Sequence, residues 1–324
     1  MSVSLFDEFL ERLNGCERVI IQAHDFPDHD AVGSAFALAY LLRKKGFSPL
    51  ITYQGFIDRV SLHNLIAWLD IPIAKAHLLD LKPNDKIIVV DGCIGEKNVT
   101  DLPGLEVGVI DHHQVVAPKY TWFDDIRPTY GSTATIMVEY FNYYKLPIPK
   151  RIATALLVGL TFDTANFTRA MSKPDIKALF QLQSLSDMDM VNRICRNQVE
   201  YHELKFFDSM IESMTKEGNC AFATLPEGCP KNMLGVLGDF LLTVDEIDVV
   251  VLSARNRERT FISLRSECLK NNVALVVRRA LNDTGVGFGG GHPHMSGGVI
   301  HQIFKHSDEQ KFVYDLIRPQ LVVG

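Results

Sequence analysis

The chain has little of what would tie it to a membrane, an oxidising compartment or a nucleic-acid coat. Its six cysteines (Cys16, Cys93, Cys195, Cys220, Cys229 and Cys268) are scattered over 324 residues with no Cys-x-x-Cys pair. That excludes a zinc knuckle and a disulfide framework, and suits a reduced, cytoplasmic setting. The longest apolar run, Ala35 to Leu42, falls far short of the ~20 residues that a membrane-spanning helix needs. Met1 to Asn14 carries acidic residues in an amphipathic pattern and lacks the basic start and apolar centre of a secretory signal. With 33 basic and 39 acidic residues the formal charge is −6, so a broad basic face for long duplexes is not expected. A small anionic ligand met by a few local cations remains compatible with it. There is no internal repeat and no low-complexity tract.

What is present is an alternation of short apolar strands with amphipathic helices. Arg18 to Ala23, Ser48 to Tyr53, Lys86 to Val90 and Val107 to Ile110 read as strands. Ala31 to Lys45, closed by Gly46, and Ser61 to Leu69 read as helices between them, followed by Ser132 to Tyr144 and Arg151 to Leu160. The order implies an α/β fold with a mostly parallel sheet flanked by helices. Ligands of such sheets bind beyond the carboxyl ends of the strands. From Asp175 to Lys216 the pattern is helical and charged with no strand-like stretch. The texture then turns to strands at Cys220 to Thr224, Ile247 to Ser253 and Thr260 to Arg265, with helices at Met233 to Leu241 and Val273 to Leu281. The expected organisation is an α/β domain over residues 1–186, a helical linker over 187–216, and a smaller α/β domain with a mixed sheet over 217–324. The stretch from Gly285 to Gly298 is too glycine-dense to expect regular structure.

Polar clusters stand where the strands end. His24-Asp25-Phe26-Pro27-Asp28-His29-Asp30 follows the first strand, Asp91 the third, and Asp111-His112-His113 the fourth. A hard-metal site needs several carboxylates and imidazoles that converge and still leave room for substrate. Each aspartate taken singly is better read as a helix cap, and Asp30 before Ala31 is well placed for one. The set as a whole is not, because capping needs neither the paired histidines nor an aspartate at every strand end. Alternation along the chain turns His29 away from the others.

His24-x-x-x-Asp28-x-Asp30-Ala31-x-Gly33-Ser34, Asp91, Asp111-His112-His113 and Asp163 resemble, in order and spacing, the four motifs of the DHH phosphoesterase superfamily. Gly289-Gly290-Gly291-His292 resembles the glycine-rich signature of its associated C-terminal domain, so the resemblance covers nearly the whole chain. It is nearest to the type that cleaves oligoribonucleotides and 3′-phosphoadenosine 5′-phosphate. The resemblance implies two Mn2+ ions, one held by His24, Asp28 and Asp91 and the other by Asp30, Asp91, His112 and Asp163, with Asp91 bridging. It implies His113 as a donor to the phosphate or leaving group and Asp111 as its orienting neighbour. Arg265, closing a strand before Ser266, resembles the arginine that grips a terminal phosphate, and a guanidinium suits that task better than an ammonium. Ser266, Gly289, Gly290, Gly291 and His292 would share in holding substrate. Hydrolysis of short oligonucleotides, linear dinucleotides from cyclic dinucleotides, or 3′-phosphoadenosine 5′-phosphate is the implied activity, with a homodimer as a possible assembly. A pyrophosphatase or exopolyphosphatase on the same metals, and a noncatalytic nucleotide sensor, are the alternatives. Arg255, Arg257 and Arg259 read as solvated charges, with Arg255 able to line a cleft. His63, His77, His202, His301 and His306 have no comparable company.

Overall fold

A computed structural model describes residues 2–16, 18–256, 259–268, 270–301 and 309–324; Arg257 and His306 lie outside them. The chain forms two compact units, Met1–Gln198 and Val199–Gly324. In the first unit, α1 (Ser2–Leu13) precedes a six-stranded sheet. Its strands are β1 (Val19–Ala23), β2 (Pro49–Tyr53), β3 (Ile73–Lys75), β4 (Lys86–Val90), β5 (Leu105–Asp111) and β6 (Phe123–Ile126). The spatial order is β3-β2-β1-β4-β5-β6, and every pairing is parallel. Chain order reverses between β1 and β4, which opens a crevice at the carboxyl ends of those two central strands.

Side chains alternate across this sheet as a pleat requires. Val19 and Ile21 of β1 and Ile88 and Val90 of β4 enter the large core. Ile20, Ile87 and Val89 face a smaller cluster with Ala76 and Leu102. The helices α2 (His29–Lys44), α3 (Val60–Trp68), α4 (Thr133–Tyr143), α5 (Lys150–Asp163), α6 (Lys173–Leu185) and α7 (Met188–Arg196) complete the unit. The strands β3 and β6 were not expected from sequence, being three- and four-residue edge strands with too little apolar patterning to stand out.

The second unit begins with α8 (Lys205–Ser213) and holds β7 (Thr215–Glu217), β8 (Cys220–Leu225), α9 (Lys231–Leu241), β9 (Val249–Asn256), β10 (Arg259–Ser266), α10 (Val273–Val277), β11 (Gly287–Gly291), β12 (Met295–Ile300) and α11 (Glu309–Ile317). The sheet runs β11-β12-β10-β9-β8-β7 and is mixed, with β8 and β9 parallel and the other pairs antiparallel. Successive residues of β9 feed opposite faces: Val249 and Val251 pack with α10 and α11 residues, Val250 and Leu252 with Met233 and Leu237 of α9.

Two expectations are corrected here. The stretch expected to be helical through Lys216 already contains β7, which turns back into β8 through Gly218 at φ +54°. The glycine-dense stretch is also a regular hairpin. A Cβ at Gly289 would lie 2.4 Å from Val277 Cγ1, and one at Gly298 2.4 Å from Leu281 Cδ1. At Gly289 and Gly298 the strands thus lie so close over Val277 of α10 and Leu281 in the helical turn after it that only hydrogen fits.

Candidate metal centre

The expected ligands come from separate places in the chain and meet at the β1/β4 crevice. His24 follows β1 directly. Its Nδ1 is 2.9 Å from the carbonyl of Asp25 and must donate to it, since a carbonyl only accepts. That tautomer turns Nε2 toward Asp28 Oδ2 and Asp91 Oδ2, both at 3.8 Å. His112 repeats the device: Nδ1 donates to the Tyr130 carbonyl at 3.1 Å, and Nε2 lies 3.1 Å from Asp163 Oδ2 and 3.6 Å from Asp91 Oδ1. Asp91 itself has φ +58°, a left-handed conformation in which a non-glycine residue is uncommon. Its amide donates to the Ile110 carbonyl, and Thr133 Oγ1 donates to its Oδ1 at 2.9 Å.

Two ligand sets result, His24–Asp28–Asp91 and Asp30–Asp91–His112–Asp163, and Asp91 belongs to both. Within each, the ligand atoms lie within 4.8 Å of one another. Charges this crowded away from water repel. Burial, then the charges of Asp28 and Asp163, push Asp91 up to about 6. Burial, then Asp91 and Asp163, raise Asp30 well above the ordinary carboxylate range. Burial opposes the charged form of His24, yet the Asp28 hydrogen bond and the charges of Asp28 and Asp91 raise it to about 10. Carboxylates whose charge is opposed by burial and by one another, beside imidazoles they draw toward the charged form, are a donor set fitted to cations.

Helix termini set the remaining geometry. Asp28, not Asp30, caps α2: its Oδ1 accepts from the amides of Asp30 and Ala31. Asp30 instead accepts from the amides of Thr133 at 2.6 Å and Ala134 at 2.9 Å, at the start of α4, and from Ser34 Oγ. His29 points away, stacking on Phe162 at 3.6 Å with Nε2 3.0 Å from Ser61 Oγ. Burial, then the nearby Arg59 charge, push it down to about 3, so it is a neutral core residue. Asp111 Oδ1 accepts from both following amides and from His113 Nδ1 at 2.7 Å. Thr133 and the carbonyl of Tyr130 carry no signal in the sequence, and Ser34 stands there only as the last residue of the first motif. Only Ser132, which caps α4 through Thr135 N, leaves a trace there as a helix start.

In the second unit, Arg265 is almost fully buried and committed at two nitrogens. Nε donates to Asp239 at 2.8 Å, and Nη1 to Ser263 Oγ and the Leu264 carbonyl. Ser266 is fully buried, and its hydroxyl is used by the backbone of Cys268. It braces the strand end and is not presented to a ligand. Gly289 and Gly290 lie in β11 with Gly291, and Asn282 pairs with the amide and carbonyl of Gly289. Gly290 has open space where a Cβ would stand. His292 begins the β11–β12 turn, its amide donating to Met295 O, and His294 Nδ1 donates to the Ser266 carbonyl. Arg255 pairs with Glu227. Glu200, His202 and Glu203 also cluster, but Glu203 accepts from the Glu200 amide as a local cap. Among the described residues no helix is long and apolar enough to cross a membrane.

The sequence and the fold have counterparts among known proteins. An uncharacterised protein of Methanocaldococcus jannaschii is 29% identical over 312 residues, covering 94% of this chain and 63% of its own. The cyclic-di-AMP phosphodiesterase GdpP of Bacillus subtilis is 25% identical over 305 residues, covering 85% of this chain and 43% of its own. The chain therefore spans less than two thirds of the length of these relatives. The crystal structure of an exopolyphosphatase-related protein from Bacteroides fragilis superposes with a TM-score of 0.76 at 20% identity, over 98% of this chain and 96% of that one. The model of the DHH family, N-terminal domain, matches residues 18–160, and that of the DHHA1 domain matches residues 217–318. With both domains present in order and the motif residues gathered at one sheet edge, the chain belongs to the DHH superfamily.

Proposed function

We propose that this protein is a manganese-dependent phosphoesterase that hydrolyses short nucleotide substrates: oligoribonucleotides, linear dinucleotides derived from cyclic ones, or 3′-phosphoadenosine 5′-phosphate. The observation that carries the reading is the pair of overlapping ligand sets sharing Asp91. Their mix of carboxylates and imidazoles suits Mn2+. When bound, a pair of such ions supplies Lewis-acid activation of water and of the phosphoryl oxygen. His24, Asp28 and Asp91 would hold one ion, and Asp30, Asp91, His112 and Asp163 the other.

The chain's own residues account for the rest. Asp111 fixes the Nδ1 proton of His113, which leaves Nε2 to deliver a proton to the leaving oxygen. Burial opposes the imidazolium, but the Asp111 hydrogen bond and the Asp91 charge raise its pKa, as a general acid requires. Arg265, aimed by Asp239, would take a terminal phosphate, with the Gly289–Gly291 strand and His292 alongside. The relationship to a cyclic-di-AMP phosphodiesterase supports nucleotide substrates. The units Met1–Gln198 and Val199–Gly324 are proposed as catalytic and substrate domains, assembled as a homodimer. Six cysteines without a disulfide suit a cytoplasmic setting.

The test is a panel with Mn2+: a 5′-phosphorylated dinucleotide, longer RNA, a cyclic dinucleotide, 3′-phosphoadenosine 5′-phosphate and pyrophosphate, beside Asp91→Ala. Turnover of a short nucleotide, abolished in Asp91→Ala, is expected. Pyrophosphate as sole substrate would replace this reading with a pyrophosphatase, and no turnover by metal-loaded protein would refute it.

A further inference from the structure

Two half-exposed phenylalanines stand beside the metal centre and have no part in holding it. Phe26 follows β1 and Phe56 follows β2. These strands are parallel neighbours, so both loops rise from the same sheet edge. Phe26 is 50% exposed and Phe56 49% exposed, and the rings meet edge to face with centroids 4.8 Å apart at 84°.

The pair is built. Phe26 has φ +55°, which a bulky side chain rarely adopts. The turn is tied at both sides: the Phe26 amide donates to the Gln54 carbonyl, and the Asp25 amide to that of Asn98. Thr100 donates to the Asp25 carboxylate through its amide and its hydroxyl. The Phe26 ring lies against Gly55, itself at φ +81°, where a Cβ would be 2.7 Å from Phe26 Cδ1. Backbone strain and a glycine are thus both used to keep a large apolar ring half in water, the opposite of what core packing would select.

Phe26 lies two residues from His24 and two from Asp28, so its Cα is within about 7.6 Å of either along the chain. A group attached to a phosphate held by His24 and Asp28 through metal would be within reach of these rings. Resting on the nucleotide reading above, we propose that Phe26 and Phe56 form a stacking platform for the nucleobase next to the scissile phosphate. A flat aromatic face accepts any base, because each has a π-face, so the platform favours base-bearing phosphoesters without choosing among bases.

The test uses the intact protein and Phe56→Ala, which leaves the strained turn alone, with Phe56→Tyr as the conservative rescue. KM and kcat are measured with Mn2+ on a 5′-phosphorylated dinucleotide and on the same compound carrying an abasic residue. Quenching of a 2-aminopurine nucleotide is followed separately, without need of turnover. Phe56→Ala should raise KM for the base-bearing substrate about ten-fold or more at similar kcat. It should leave the abasic substrate unchanged and reduce the quenching, and Phe56→Tyr should restore both. Equal losses on both substrates, or unchanged KM and quenching, would overturn the platform while the hydrolytic reading stood. A quenching difference with no hydrolysis of any nucleotide would uphold the platform and refute that reading. If a second copy of the chain covers these rings instead, dimerisation would weaken in Phe56→Ala at unchanged KM, and the assignment would be overturned.

Discussion

Asp91 joins backbone strain to ligand chemistry: it is at φ +58° and belongs to both ligand sets. Thr133 holds it from a distant helix, with its hydroxyl on Asp91 Oδ1 and its amide on Asp30 Oδ2. One residue thereby orients a ligand of each set. Removing the hydroxyl at constant shape, Thr133→Val, is expected to weaken Mn2+ binding about 10- to 100-fold by calorimetric titration, while Thr133→Ser keeps most of it. The candidate ligands are legible in the sequence because they stand in polar clusters at the ends of apolar strands or at helix termini. Thr133 could not, because it is 42 residues from Asp91 and nothing in its neighbourhood marks it as more than a residue at a helix start.

The centre depends on how closely its elements approach. A Cβ at Gly33 would meet the Ala155 carbonyl oxygen at 2.8 Å, and one at Gly159 would meet Asp30 Cα and Oδ1, both at 2.9 Å. Helices α2 and α5 therefore cross backbone to backbone beside Asp30, a candidate metal ligand. Gly159→Ala is expected to lose about 1–3 kcal/mol of stability in denaturant unfolding. Because the added methyl presses on Asp30, metal affinity should fall with it. The α4 terminus adds two amides and the positive end of its dipole to the same carboxylate. Periodicity announced these helices but not which glycine faces which. The same limit explains the glycine hairpin, where composition suggests a loop and only the underlying α10 turn makes hydrogen side chains a packing requirement.

Each hydrophobic cluster lies within one unit, and the two units should respond to different perturbations. On the proposed function, Mn2+ added to metal-stripped protein should relieve the repulsion among buried carboxylates. At a hundred times Kd, about 2.7 kcal/mol of stabilisation is expected. Hydrogen exchange should register it as added protection at the ends of β1, β4 and β5 and the starts of α2 and α4. In the second unit, Arg318 and Tyr314 donate to Glu217, tying α11 and the turn after it to β7. The Arg318 hydrogen bond, then that of Tyr314, lower Glu217 from 4.5 to about 2. A depressed carboxylate contributes stability above its unfolded pKa and loses it as pH falls through the folded one. That contribution should be complete above pH 4.5 and vanish toward pH 2. Glu217→Gln should flatten the acid limb of a melting-temperature profile by a small amount, since the pair is partly exposed.

By itself the sequence determined the α/β alternation, the change of texture after Asn219, and the identity and order of the polar clusters at the strand ends. These are local matters of period, propensity and residue chemistry. Only the tertiary structure decided that β1 and β4 are neighbours, that Asp28 rather than Asp30 caps α2, and that His29 stacks on Phe162. It also decided that Ser266 is turned inward and that Phe26 leans on Gly55. Each depends on groups far apart in the chain whose distances are set by packing, and no pattern within one segment encodes them.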